Sequence, residues 1–222
     1  MWAFAGLAVR RTRVPSTIKP MALKGRSPGV PGYVPQPFRT LLLGACLLAH
    51  AVAAPPQFSL TDTAGRTHTP ADWAGKRAVV LLFVSTDCPL SNRYVPEFNR
   101  IESAYTARGV AFYAVQGDAT VAEDEVRRHV KEFGYTFPYL FDPTESLAAF
   151  TGATATPEAA VLSPRGDMLY LGRIDNRLEE FGKERVQVTE FDLREALDAV
   201  LAGKPVPHPR TKALGCAITR KK

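Results

Sequence analysis

Apolar runs and helical stripes alternate along this chain. Ala78-Val79-Val80-Leu81-Leu82-Phe83-Val84 is unbroken, rich in β-branched residues and bounded by polar positions, the pattern of a strand buried on both faces. Tyr94, Phe98, Ile101 and Tyr105 then recur at helical spacing, which predicts a helix from about Ser91 to Ala107, ending near Gly109. Val110 to Gln116 reads as a second buried strand. A charged helix is predicted over about 121–133, with Val126, Val130 and Phe133 facing inward. Tyr139 to Pro143 reads as a short strand and turn, and Ser146 to Phe150 as one or two helical turns. Strands at Ala159–Leu162 and Met168–Arg173 flank the turn Pro164-Arg165-Gly166-Asp167. Leu193, Ala196, Leu197, Val200 and Leu201 stripe a last helix, opened by Thr189 and Asp192 and closed by Gly203 and Pro205. Such alternation implies an α/β fold with a central sheet covered by helices.

Upstream of these elements the composition changes. Residues 1–53 carry seven basic side chains and no acidic one. Arg39 is followed by the apolar segment Thr40 to Ala53, which ends in Ala51-Val52-Ala53. A basic region, a short apolar region and an Ala-x-Ala end make a secretory signal peptide, and the apolar run is too short to span a membrane. Export to the periplasm or the medium is therefore expected, with cleavage after Ala53 and Met21 or a later codon as a candidate start. Cys46, in a weak lipoprotein-like Leu43-Gly44-Ala45-Cys46, would leave with the signal.

That division changes the charge. The whole chain has 28 basic and 22 acidic residues, formally +6; without the seven of the leader, 21 face 22, formally −1. The basic pI belongs to the leader, so a nucleic-acid partner loses its support. The expected organisation is a leader (1–53), one domain (54–204) and a Pro-rich extended arm (205–222) carrying Cys216. Two cysteines, Cys88 and Cys216, then sit in an oxidising compartment, where an even count invites pairing. His68 and His129 read as surface residues of a hairpin and a charged helix.

Cys88 carries the candidate chemistry. It lies in Ser85-Thr86-Asp87-Cys88-Pro89, between the first buried strand and a helix start. Unpaired backbone N–H groups and the positive end of the helix dipole favour a thiolate there, and the thiolate is the nucleophile. The neighbouring Asp87 is expected to cap the helix.

Strand, Ser-Thr-Asp-Cys-Pro and a helix with Pro96 resemble the thioredoxin-fold redoxins of the alkyl hydroperoxide reductase/thiol-specific antioxidant group. Phe58 to Arg66 resembles their entry hairpin, Thr156 to Leu162 the segment with their cis-proline, and Pro164 to Arg173 the hairpin after it. The resemblance spans about residues 55–202. It implies a thioredoxin-like mixed central sheet with helices on both faces, and thiol-disulfide exchange or peroxide reduction at Cys88 without a cofactor or metal. Two departures stand out. The dithiol motif is broken, since Cys88-Pro89-Leu90-Ser91 ends in serine, and the peroxidase signature has Leu81 in place of proline and Ser85 in place of threonine.

In this reading Cys216 resolves Cys88, while Ser85 and Thr86 donate hydrogen bonds near the sulfur. Thr156, Pro157, Pro89 and Arg173 form the substrate side. The partners would be peroxide or protein thiols and disulfides, with an external thiol reductant, no nucleic acid and no membrane insertion of the mature chain. Two alternatives stand beside it: Cys88–Cys216 as a structural disulfide of a redox-inert binding module, or copper handling by both cysteines with His208 or His129.

Overall fold

The computed structural model describes residues 56–118 and 120–218; the predicted leader lies outside them. In chain order the elements are β1 (Leu60–Thr61), β2 (Thr67–His68), a 3₁₀ turn (Pro70–Trp73), β3 (Ala78–Val84), α1 (Pro89–Thr106), β4 (Val110–Gln116), α2 (Glu123–Phe133) and β5 (Tyr139–Leu140). There follow α3 (Ser146–Thr151), β6 (Ala155–Thr156), β7 (Glu158–Leu162), β8 (Met168–Gly172), β9 (Leu178–Glu180), β10 (Lys183–Glu184), α4 (Asp192–Leu201) and β11 (Cys216–Ala217).

The central sheet has the order β5-β4-β3-β7-β8. Strands β3, β4 and β5 run parallel, while β7 is antiparallel to β3 and β8 to β7. It is the mixed, thioredoxin-like sheet that the resemblance implied. All seven residues of β3 are buried, as an unbroken apolar run at the centre of a two-sided sheet requires. Its alternate side chains feed two cores. Val80, Leu82 and Val84 pack with Tyr94, Phe98 and Ile101 of α1, Val126 of α2 and Leu193 and Leu197 of α4. Val79, Leu81 and Phe83 pack with Trp73 and with Leu147 and Ala148 of α3.

Glu97 of α1, 9% exposed, accepts from Arg194 of α4 at 2.8 Å and from Arg100 at 2.8 Å. Burial pushes its carboxyl up, but the two guanidiniums outweigh this and hold it below its ordinary value. The pair locks the helix that Cys88 opens to the last helix of the domain.

Several expectations are corrected. Phe133 is 37% exposed, because the inner face of α2 is taken by Val126 and His129. His129 is buried, with its ring stacked 4.3 Å from that of Phe133, and burial lowers its pKa. His68 is also buried, with Nε2 2.8 Å from Asp62 Oδ2. The arm after residue 204 is extended, as its prolines imply, but it is docked. Leu171 N donates to Pro209 O (3.0 Å), Thr211 N to Leu171 O (3.2 Å) and Ile218 N to Thr154 O (2.9 Å).

Candidate active site

Strand β3 ends at Val84, and Ser85-Thr86-Asp87 turn the chain into α1. The Cys88 amide donates to Ser85 O at 3.2 Å, closing the turn, and Cys88 O accepts the first helical bond from Asn92 N at 3.1 Å. Cys88 is thus the N-cap of α1, with Pro89 in the first helical position, where a missing N–H costs nothing. Asn92 Nδ2 donates to Thr86 O at 3.0 Å and pins the turn from the helix side. Asp87 does not cap: its carboxylate is exposed and meets only the Thr86 hydroxyl, at 3.4 Å. Cys88 itself is 1% exposed.

The opposite wall is built from β6. The Thr156–Pro157 peptide bond is cis, and Thr156 O faces the Cys88 sulfur at 3.0 Å, the thiol donating. Strand β11 pairs antiparallel with β6, Cys216 opposite Thr156 and Ala217 opposite Ala155. This brings the second cysteine from the arm to the first. Ser85, Asp87, Cys88, Gly117, Asp118 and Thr156, with Cys216 and Ala217, line one cleft of about 150 Å³. Gly117 keeps that cleft compact: a Cβ there would meet Thr156 Cγ2 at 2.7 Å.

The two thiols are held in different states. Burial pushes the Cys88 thiol up. Hydrogen bonds from the Cys216 side chain, from the Ser91 amide and hydroxyl and from the Cys216 backbone outweigh it, lowering the thiol from 9.0 to about 7. Cys216 moves the opposite way, to about 11, through burial and the hydrogen bond it donates to Cys88. Near neutral pH Cys88 is therefore divided between thiol and thiolate, while Cys216 stays protonated. That is the pairing in which one sulfur attacks an oxidant and the other supplies a proton and then a second sulfur.

The expected site residues separate into three groups. Cys88, Cys216, Ser85 and Thr156 meet in the cleft, whereas Pro157 lines a separate cavity together with Arg173. Thr86 is 7% exposed with its hydroxyl turned to Asp87, outside the cleft; Pro89 is exposed on α1. Arg173 is committed elsewhere, to Asp192 at 2.8 Å and to Glu190, and lines a separate cavity of about 220 Å³ with Tyr94, Ile174, Leu178 and Leu214. Arg173 therefore does not line the Cys88 cleft.

Three contributors were not anticipated. Ser91 stands where a dithiol motif has its second cysteine, and its proximity contributes to the lowered Cys88 pKa. Glu158, 5% exposed in β7, accepts from Thr154 N (2.7 Å) and Ala155 N (3.1 Å), which fixes the strand that β11 pairs with. Gly215 is the third, through its packing on Thr156. A buried glutamate in an apolar strand is itself a signal, since such a group is retained only when its hydrogen bonds are made.

Comparison with known proteins agrees with this geometry. Residues 52–171 match the AhpC/TSA family. The thiol-disulfide oxidoreductase ResA of Geobacillus thermodenitrificans is 31% identical over 113 residues, 50% of this chain and 62% of that protein. The chain thus spans a little under two thirds of that relative's length. Among solved structures, a hypothetical protein of Sinorhizobium meliloti has a TM-score of 0.65 at 30% identity, covering 77% of this chain and 96% of its own. An uncharacterised conserved protein of Geobacillus kaustophilus has a TM-score of 0.67 at 29% identity, covering 76% and 90%. With Cys88 at the N-cap of α1 beside Thr156 of a mixed-sheet fold, and a family match over more than half its length, this chain belongs to the AhpC/TSA family.

Proposed function

We propose that this protein is an exported thiol-dependent oxidoreductase whose nucleophile is Cys88 and whose resolving residue is Cys216. The observation that carries the reading is the pairing of Cys216 with Thr156, whose carbonyl oxygen faces the Cys88 sulfur at 3.0 Å, so that both cysteines line one cleft. The thioldisulfide activity named for the ResA relative supports the reaction class, and the leader anatomy supports export.

Two oxidants suit the thiolate. Attack on a hydroperoxide forms an S–O bond and breaks O–O; the alcohol or water leaves with a proton, and Cys88 becomes a sulfenic acid. Cys216 then attacks that sulfur, water leaves, and the Cys88–Cys216 disulfide forms. Attack on a disulfide instead gives a mixed disulfide and expels one thiolate; Cys216 displaces the second. In either case an external dithiol returns both cysteines to thiols and is itself oxidised.

The copper-handling alternative needs a third ligand beside the two sulfurs. Among the described residues no group of three His, Cys, Asp or Glu side chains is close enough to hold a metal ion, and His129 is buried against Phe133. The structural-disulfide alternative leaves Cys88's lowered pKa without a use. Mass spectrometry of the purified mature protein after one equivalent of oxidant tests the proposal. Wild type should gain a Cys88–Cys216 disulfide that dithiothreitol removes. Cys216→Ser should stop at a Cys88 sulfenic acid or mixed disulfide, and Cys88→Ser should not turn over. A disulfide unaffected by any reductant, or turnover in Cys88→Ser, overturns it.

A further inference from the structure

The arm does more than deliver Cys216. It is held at two places with a short span between them. Upstream, Pro209 and Thr211 bond to Leu171 of β8, and the Thr211 hydroxyl meets Tyr170 OH at 2.7 Å. Downstream, β11 lies along β6 and Ile218 is buried at 8% exposure in the core that holds Phe83 and Val115. At Gly215 the approach is so close that a Cβ would lie 2.1 Å from Thr156 O and 2.6 Å from Thr156 C, both backbone atoms that have no freedom to move aside. Only glycine lets the strand sit there.

This contact has a consequence for access. Thr156 O is also the atom that faces the Cys88 sulfur. The strand edge next to the nucleophile, with its backbone groups available for pairing, is where an extended polypeptide bearing a disulfide would align. In this protein residues 215–218 already fill that edge. What remains is the cleft of about 150 Å³ between the Ser85–Asp87 turn and Gly117–Asp118, with Cys216 and Ala217 as its third side. A hydroperoxide group fits such a space; a disulfide with a chain running from each sulfur does not.

We infer that the docked arm selects the oxidant: with β11 in place Cys88 reacts with hydroperoxide-sized molecules, and it exchanges with peptide or protein disulfides only when residues 214–218 have lifted from β6. The inference rests on the proposed role of Cys88 as nucleophile. Lifting the arm also removes the Cys216 hydrogen bonds that lower the Cys88 pKa. Access to a strand-like disulfide and reactivity towards peroxide therefore move in opposite directions. The peptide rate in the closed protein is reduced to the fraction of molecules with the arm lifted.

The test uses the full chain, reduced, with two probes: hydrogen peroxide, and a peptide carrying a mixed disulfide on its cysteine. Gly215→Ala forces the β-carbon against Thr156 and lifts the strand while keeping Cys216; Ile218→Ser removes the distal anchor by a separate route. For both variants, loss of Cys88 thiol to the peptide should accelerate about tenfold, and loss to peroxide should slow about tenfold, as an undocked fraction and a raised pKa require. Near-ultraviolet circular dichroism verifies that each variant is folded, and agreement between the two guards against a local defect in either. Equal peptide rates in wild type and variants, or a fall in both rates, overturns the inference. A wild-type Cys88 inert to both probes overturns the proposed function instead.

Discussion

The Glu158 carboxylate reaches back across Pro157 to accept the Thr154 amide at 2.7 Å, with the Ala155 amide on the same oxygen at 3.1 Å. This buried acid holds the strand on which both Thr156 O and the arm depend. Its removal leaves two buried donors without an acceptor, a cost of about 1–3 kcal/mol for each unsatisfied group. Glu158→Ala should lower the urea-unfolding stability by about 2 kcal/mol or more, whereas Glu158→Gln, which keeps an acceptor oxygen, should recover most of it. Identical stabilities for the two variants would show that the carboxylate does not hold this loop.

Cys88 reactivity should follow its thiolate fraction. In wild type the iodoacetamide alkylation rate of Cys88 should rise with pH through a midpoint near 7. Ser91→Ala and Cys216→Ala each remove one of the side-chain contributions that outweigh burial, so the midpoint should move up in both, towards 9.0. A midpoint left in place by Cys216→Ala would show that the second cysteine does not lower the pKa of the first.

The two cysteines also give the reduced protein a distinctive pH profile of stability. The folded Cys88 pKa is depressed, so its contribution is present above 9.0 and is lost as pH falls through about 7. The folded Cys216 pKa is raised, so its contribution is present below 9.0 and is lost as pH rises through about 11. Stability from this pair therefore climbs between pH 7 and 9 and declines between 9 and 11. Urea midpoints for the reduced wild type, minus those of a Cys88→Ser/Cys216→Ser double variant, should peak near pH 9; a flat difference would contradict the coupling.

Export is checked at the N-terminus. The basic segment, the apolar segment and Ala51-Val52-Ala53 predict that protein recovered from a periplasmic fraction begins near Ala54. Recovery of an intact residue 1 from cytosolic protein would refute this.

The frame of the fold was open to reading because its signals are local and periodic. The run 78–84, the stripe Tyr94–Phe98–Ile101–Tyr105 and the stripe of α4 each occupy the place that their spacing assigns. Boundaries moved by a turn or less: α1 starts at Pro89, because proline is well suited to the first helical position. Cys88 was legible for the same reason, as a thiol at a strand-to-helix junction. The return of Cys216 was foreseen as a chemical need, but not as a strand. Two residues of extended chain have no periodicity, and the close contact at Gly215 is recorded in the sequence only as one more glycine. His68 and His129 misled because a polar residue in a hairpin or charged helix reads as solvated until a buried partner, such as Asp62 or Phe133, is seen beside it.

One consequence reaches back to folding. Part of what tunes Cys88 comes from Cys216 of β11, which pairs with a strand 60 residues earlier in the chain. Contacts of such sequence separation close late in folding. Until β11 has docked, Cys88 lacks the contribution of Cys216, so its full acidity is gained only with this long-range pairing.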